Sequence, residues 1–510
     1  MRSRKRKPVA REATRDAGAP AVREAGVAGI RFPGWRWWAL CGLILIFARY
    51  YYWTIHPAPR PIRESGPYNQ LADAFYNQQT YLRQAPAPEL LALKDPYDPE
   101  QNAPYRLHDA SLYKGRYYYY FGPAPALLLY LPYTMVTGDV LPDRVGTWLF
   151  ASAAFLVACF FLKFLITRFW PDSPRWLFFF LCVCLGFSNS FPYLLRRPAV
   201  YETAIAAGQF FVLLGLYALA RASWGRSGAL ALAALAGACF AAAFGSRPHL
   251  VFSAGPLVWL LLLGDQTLRH RVRCLVAAAV PFTAGFALLL LYNYARFDTP
   301  FEFGNHYQLS AVNVRKLQFF RISIPRLFED LWYSVLEPPR LHSTFPFIRV
   351  FPARSDLLER GIEVVVGILW LSPLVLLLAG AVVACKRIDP ARRRDWILCT
   401  VTLVLLGGAW VGADAFVGAT MRYQADFATV LLLASCLVIP GLFAVSPPQS
   451  TQWLCRAVVA LGIVGMLINA ATGIRGYYDN FRIEAPQQYA STAAIFKPLS
   501  QVLAWFGIPP

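Results

Sequence analysis

Residues 107–136 read LHDASLYKGRYYYYFGPAPALLLYLPYTMV, and how this stretch meets the membrane decides the fold. It has the length and apolar half of a membrane span, yet it opens on His108-Asp109 and runs through Tyr117–Tyr120. Pro123, Pro125 and Pro132 interrupt its apolar half. If it crosses, the polar residues on either side of it are split between two compartments. If it rests on one surface, they share one.

The rest of the chain puts the question in a membrane. Of 510 residues, 57% are hydrophobic and 15% aromatic, and the apolar runs are long enough to span a bilayer. Eleven such runs lie at 35–53, 143–166, 175–195, 199–221, 228–245, 248–263, 274–293, 362–385, 396–416, 427–445 and 453–474. The net charge of +20 comes from the N-terminal tail and from short loops between apolar runs, where lysines and arginines set topology. No folded basic patch interleaved with aromatics is present, which excludes nucleic acid as a partner and leaves membrane lipids. The ten cysteines all fall in or beside apolar runs, so neither a disulfide framework nor a zinc motif is indicated.

Counting crossings answers the opening question. If 118–136 does not cross, the loops holding Arg168 and Arg175, Arg221 and Arg226, RHRVR (269–273) and CKRIDPARRRD (385–395) all fall on the cytoplasmic side, as the positive-inside bias requires. The sequence therefore predicts an all-α polytopic membrane protein of about eleven transmembrane helices, with 121–133 as a juxtamembrane helix and the tyrosines at headgroup level. Residues 1–34 read as a disordered basic cytoplasmic tail and 35–474 as the transmembrane domain. Within it, 54–142 and 294–361 form two large outer loops, and 475–510 an outer C-terminal tail.

On this topology the outer face gathers Asp73, His108, Asp109, Arg197, Glu202, Arg247, His249, Arg422 and Tyr423. Carboxylates and arginines meeting at a water–membrane boundary suit chemistry on an amphiphile with its tail in lipid. A carboxylate can take a proton from an attacking hydroxyl, and arginines can hold a phosphate leaving group. Each residue also has a plainer reading: Asp73 as a solvated helix face, Glu202 as a helix cap, the arginines as snorkelling side chains. Asp95 and Asp98 in DPYDPEQNAPY read as parts of a proline-fixed loop. No run carries a charge near its midpoint, which counts against an ion-coupled transporter.

The layout resembles the GT-C superfamily of membrane glycosyltransferases, nearest the branch of protein O-mannosyltransferases, aminoarabinose transferases and Rgt-type transferases. HDASLYKGRYYYYFGPAPALLLYLP stands where that family has its His-Pro-Pro-Leu stretch, and RRPAVYETAIAAGQFF aligns Glu202 with the second acidic residue. AAAFGSRPHLV places Arg247 at the basic corner, and MRYQADFATVLLLA gives Arg422 of an Arg-Tyr pair. The family's Asp-Glu pair after the first span is absent; ESGPYNQLADAF offers Glu64 and Asp73.

The resemblance implies transfer of a sugar from a polyprenyl-phosphate donor to a glycan, lipid or protein acceptor, at the periplasmic face of a bacterial inner membrane. It implies Asp73 or Asp109 as base, Glu202 as an acceptor-orienting or metal-supporting carboxylate, and Arg247 with Arg422 on the phosphate. His108, Arg197, His249 and Tyr423 would contact substrate. A divalent cation is required by some members of the fold and not by others. A lipid-linked sugar flippase and a non-catalytic assembly protein are the alternative readings.

Overall fold

The computed structural model describes residues 34–55, 66–225, 227–311, 313, 315, 324–349, 365–477 and 479–509. The basic tail before Gly34 falls outside them. The chain enters as α1 (Gly34–Thr54) and passes through α2 (Pro67–Tyr76), a hairpin of β1 (Ala110–Tyr113) and β2 (Arg116–Tyr119), and α3 (Ala126–Thr137). It returns as α4 (Asp143–Phe169).

Contacts between α1 and α4 settle how many times the chain has crossed by then. The Trp148 indole donates to the Ala48 carbonyl at 2.9 Å, the Phe47 and Phe155 rings stand 4.7 Å apart, and Lys163 lies 3.7 Å over Trp37. Numbers rising along α4 pair with numbers falling along α1, so the two helices are antiparallel. An antiparallel pair has both connecting ends on the same side, and 55–142 therefore makes no net crossing.

Six further helices complete a set long and apolar enough to cross a membrane with α4: α5 (Arg175–Leu194), α6 (Val200–Trp224), α9 (Leu268–Phe297), α12 (Pro390–Val417), α13 (Gln424–Val445) and α14 (Pro448–Arg475). Three shorter apolar helices, α7 (Ala229–Phe244), α8 (Pro248–Leu262) and α11 (Pro373–Cys385), fill the gaps. With α1, each of the eleven apolar runs has its helix, and the protein is an all-α polytopic membrane protein. An amphipathic helix, α10 (Ile324–Val335), belongs to the second long connection.

The two ends of the bundle differ in charge. One end carries the short basic loops and is tied together around Asp395, which accepts from the Trp224 indole at 2.7 Å and the Gly264 N–H at 3.2 Å, with Arg168 at 3.9 Å. The other end carries both long connections. The Arg296 guanidinium at the end of α9 donates to the Tyr119 carbonyl, and Tyr118 packs 5.4 Å from Phe297, so the second connection starts beside the hairpin of the first.

The four tyrosines do not form a headgroup belt, as their sequence suggested. Lys114 and Gly115 both have positive φ (47° and 71°), a tight type I′ turn that folds YKGR into a hairpin. Strand alternation then sends Tyr117 and Tyr119 to one face, into a core with Tyr68, Leu71 and Leu112, while Tyr118 takes the other. Each buried leucine there contributes about 1.5–3 kcal/mol. The hairpin is pressed against the bundle at Gly122, where a β-carbon would stand 2.1 Å from the Gly245 carbonyl oxygen. The Ala124 N–H donates to that same oxygen at 3.0 Å. This contact brings the first connection to the α7–α8 corner, where Arg247 sits.

At the C-terminus, helices α15 (Pro486–Ile495) and α16 (Lys497–Trp505) close over the second connection. The Tyr489 hydroxyl donates to the Phe345 carbonyl at 2.6 Å, and Phe345 stacks on Phe496 at 5.3 Å.

Candidate functional site

Asp109 stands at the entrance to β1 in the left-handed backbone region, φ 63°, a conformation that Asp tolerates better than most residues. Its own N–H donates to the Leu309 carbonyl at 2.8 Å, so residues of the second connection run alongside the hairpin. From there the Gln308 amide donates to Asp109 Oδ1 at 2.8 Å. From the first turn of α6 the Tyr201 hydroxyl donates to Oδ2 at 2.9 Å. His108 Nε2 lies 3.8 Å from the same oxygen, with its ring largely exposed. Gln308 also donates to the Tyr120 hydroxyl at 3.2 Å, and Tyr120 is hydrogen-bonded to Tyr201. Burial, then the neighbouring Tyr201 and Asp109, push the Tyr120 phenol well above its ordinary range, so it remains a proton donor. Three separated segments thus fix one carboxylate that still has access to water.

Arg422, in the link between α12 and α13, lies 4.7 Å over the Tyr201 ring and 5.6 Å over Tyr423. Glu202, next to Tyr201 on the helix, is 2% exposed. Burial acts most strongly on its carboxyl, and the charges of Arg422 and Arg197 act on it in the opposite sense. A side chain this buried does not fit the reading of Glu202 as a solvated helix cap, and Oε2 has no hydrogen-bond partner among the described residues. Arg197 covers the Tyr477 ring at 4.7 Å.

Beyond Tyr423 the polar path continues inward. Arg247 lies 5.1 Å over the Tyr423 ring and is ion-paired with Asp426 Oδ2. His249 Nε2 is 3.5 Å from that oxygen and 3.8 Å from Asp414 Oδ1. Gln209 of α6 donates to the Asp426 carbonyl at 2.7 Å. One ligand atom each from His249, Asp414 and Asp426 can be chosen so that all lie within 4.8 Å of one another.

Eight of the nine residues expected from the sequence thus fall along one path: His108, Asp109, Arg197, Glu202, Arg247, His249, Arg422 and Tyr423. Asp73 stands apart. The buried face of α2 is Tyr68, Leu71 and Ala72, which turns Asp73 outward to an exposed ion pair with Arg83 at 3.3 Å and a bond from Asn77. Asp95 and Asp98 are loop structure, accepting from the N–H groups of Tyr97 and Glu100. Sequence reasoning missed Tyr201, Gln308, Asp414 and Asp426. The signal for the last two was an acid in the final turn of one apolar helix and another in the first turn of the next.

No family model matches the chain, and no curated protein matches it. Among solved structures, it is similar to the archaeal oligosaccharyltransferase AglB from Archaeoglobus fulgidus, determined in complex with an inhibitory peptide and a dolichol-phosphate. The TM-score is 0.39 at 12% identity, over 90% of this chain and 56% of that one. The chain thus spans little more than half the length of that protein.

Proposed function

We propose that this protein is a membrane glycosyltransferase of the GT-C type, moving a sugar from a polyprenyl-phosphate carrier to an acceptor hydroxyl at the outer face of a bacterial inner membrane. One observation carries the reading. Asp109 is a partly water-accessible carboxylate held by donors from two other segments, and Arg422 is stacked on the very ring whose hydroxyl holds it. A carboxylate suited to act as base, next to a cation at the end of an apolar bundle, supports this reading.

In this mechanism Asp109 takes the proton of the acceptor hydroxyl as its oxygen bonds to the anomeric carbon from the face opposite the phosphate. The bond from that carbon to the phosphate oxygen breaks, and polyprenyl phosphate leaves. General-base help of this kind is worth about 10²- to 10⁴-fold. Arg422 and Arg197 offset the charge growing on the phosphate, while Arg247 is engaged by Asp426. Glu202, between those two arginines, orients the acceptor, and the apolar helix faces receive the prenyl tail. The acceptor is a glycan, a lipid or a protein, each of which can present the hydroxyl that this step needs.

The test follows radiolabelled sugar on the polyprenyl-phosphate pool of membranes containing the protein. Wild type should release label into an acceptor, and Asp109→Asn should not, while eluting as the same folded species. Equal release by both variants overturns the reading. Label that changes sides without a bond breaking identifies a flippase, and label that stays in place identifies an assembly partner.

A further inference from the structure

We infer that His249, Asp414 and Asp426 form a binding site for one divalent transition-metal ion of the zinc or manganese class, set behind Arg247 at the site end of the bundle. The three come from different helices: His249 from the first turn of α8, Asp414 from the last turn of α12, and Asp426 from the first turn of α13. Their approach is a product of the fold and not of a local acidic run.

Two independent observations point to a missing ligand. The first is unmet bonding capacity. Asp414 is 3% exposed and Asp426 0%, yet Asp414 Oδ2, Asp426 Oδ1 and His249 Nε2 have no hydrogen-bond partner among the described residues. Buried carboxylate oxygens are costly to leave bare. The second is charge. Asp426 has the Arg247 guanidinium, whereas Asp414 beside it has no arginine or lysine partner among the described residues and only the His249 imidazole at 3.8 Å, so a bound cation would let both carboxyls be ionised in this buried setting.

Geometry and donor type select the ion. His249 Nε2 stands 3.8 Å from Asp414 Oδ1, about half an ångström wider than the roughly 3.3 Å expected between ligands at about 2.0 Å from a tetrahedral ion, and all three ligand atoms lie within 4.8 Å of one another. Small rotations of the side chains close that gap. One imidazole and two carboxylates suit zinc or manganese, whereas calcium and magnesium prefer an all-oxygen shell. The two oxygens of Asp426 serve different partners. Oδ2 takes Arg247 while Oδ1 remains for the metal, so the arginine orients the ligand without displacing the ion. The inference does not depend on the proposed sugar transfer, because it is read by binding alone.

The experiment takes the full chain in nanodiscs, strips it with chelator, equilibrates it with MnCl2 or ZnCl2, removes free metal and measures bound metal by mass spectrometry. Wild type should retain about one equivalent, and His249→Gln and Asp414→Asn should each lose at least nine-tenths of it, while Asp109→Asn keeps it. Wild type that retains none overturns the inference, as does full retention by a monodisperse His249→Gln or Asp414→Asn protein. Should His249→Gln fail to fold, the isosteric Asp414→Asn protein decides. In wild type loaded with Mn2+, nitrogen coupling in the electron-spin-echo spectrum is expected, and an all-oxygen spectrum also overturns the inference.

Discussion

Asp109 and Asp414 sit at the two ends of one polar path, and their surroundings are opposites. Asp109 is partly open to water, and both of its oxygens are held by donors, Gln308 on one and Tyr201 on the other. Asp414 is shut away with one oxygen unbonded and a second acid, Asp426, as its neighbour. A carboxylate that must take a proton from a substrate needs fixed geometry and access, which Asp109 has. A carboxylate left bare inside a bundle stores unfavourable free energy until something binds to it, which is the condition of Asp414. The same residue type is thus suited to two different purposes by what its neighbours donate.

The largest effect that could break this contrast belongs to Asp109. Asp109→Asn keeps the size and the Gln308 and Tyr201 neighbours but removes the base, and release of sugar should fall by about 10²- to 10⁴-fold with the elution profile unchanged. If Asp414→Asn abolishes release to the same degree in metal-free protein, the division of labour is wrong. Next come the residues that aim the carboxylate. Gln308→Ala and Tyr201→Phe each remove one donor, and each should lower kcat by about tenfold with KM for the lipid-linked sugar nearly constant. A rise in KM with constant kcat would instead assign them to binding the carrier. The third effect is on stability. In metal-stripped protein Asp414→Asn replaces a buried acid crowded by Asp426 with a neutral amide and should stabilise the fold by roughly 1–2 kcal/mol, read as a higher Tm. Asp109→Asn should give no such gain, because the charge it removes is already satisfied by hydrogen bonds.

How much of this was legible in the sequence depends on the range over which each feature is encoded. The helices were legible because a span is a local property, some twenty apolar residues, and the basic loops fix their order. The hairpin was not, although YKGR carries its turn. Four consecutive tyrosines next to an apolar proline-broken run read equally well as an interfacial anchor, and only the packing of Tyr117 and Tyr119 against α2 separates the two. His108, Asp109, Glu202, Arg247, His249 and Arg422 could be picked out as polar residues at helix ends. Their grouping could not, since Gln308 reaches Asp109 across 199 positions and Arg247 reaches Asp426 across 179. Asp414 and Asp426 were hidden for the same reason: each alone is an acid near the end of a span, and only the fold brings His249 to them.

Asp73 gives the smallest effect and the cleanest control on the contrast. The sequence offers it as a base on equal terms with Asp109, because both are acids in the first long connection. In the fold its side chain is 47% exposed and that of its ion-pair partner Arg83 60%. Water screens such a pair, which is worth about 0–1 kcal/mol and carries no site geometry. Asp73→Asn should therefore change sugar release by less than about twofold and stability by less than about 1 kcal/mol. Measured beside Asp109→Asn in the same membranes, a loss of comparable size would move the base to α2, and the hydrogen bonds around Asp109 would have to be read as loop structure.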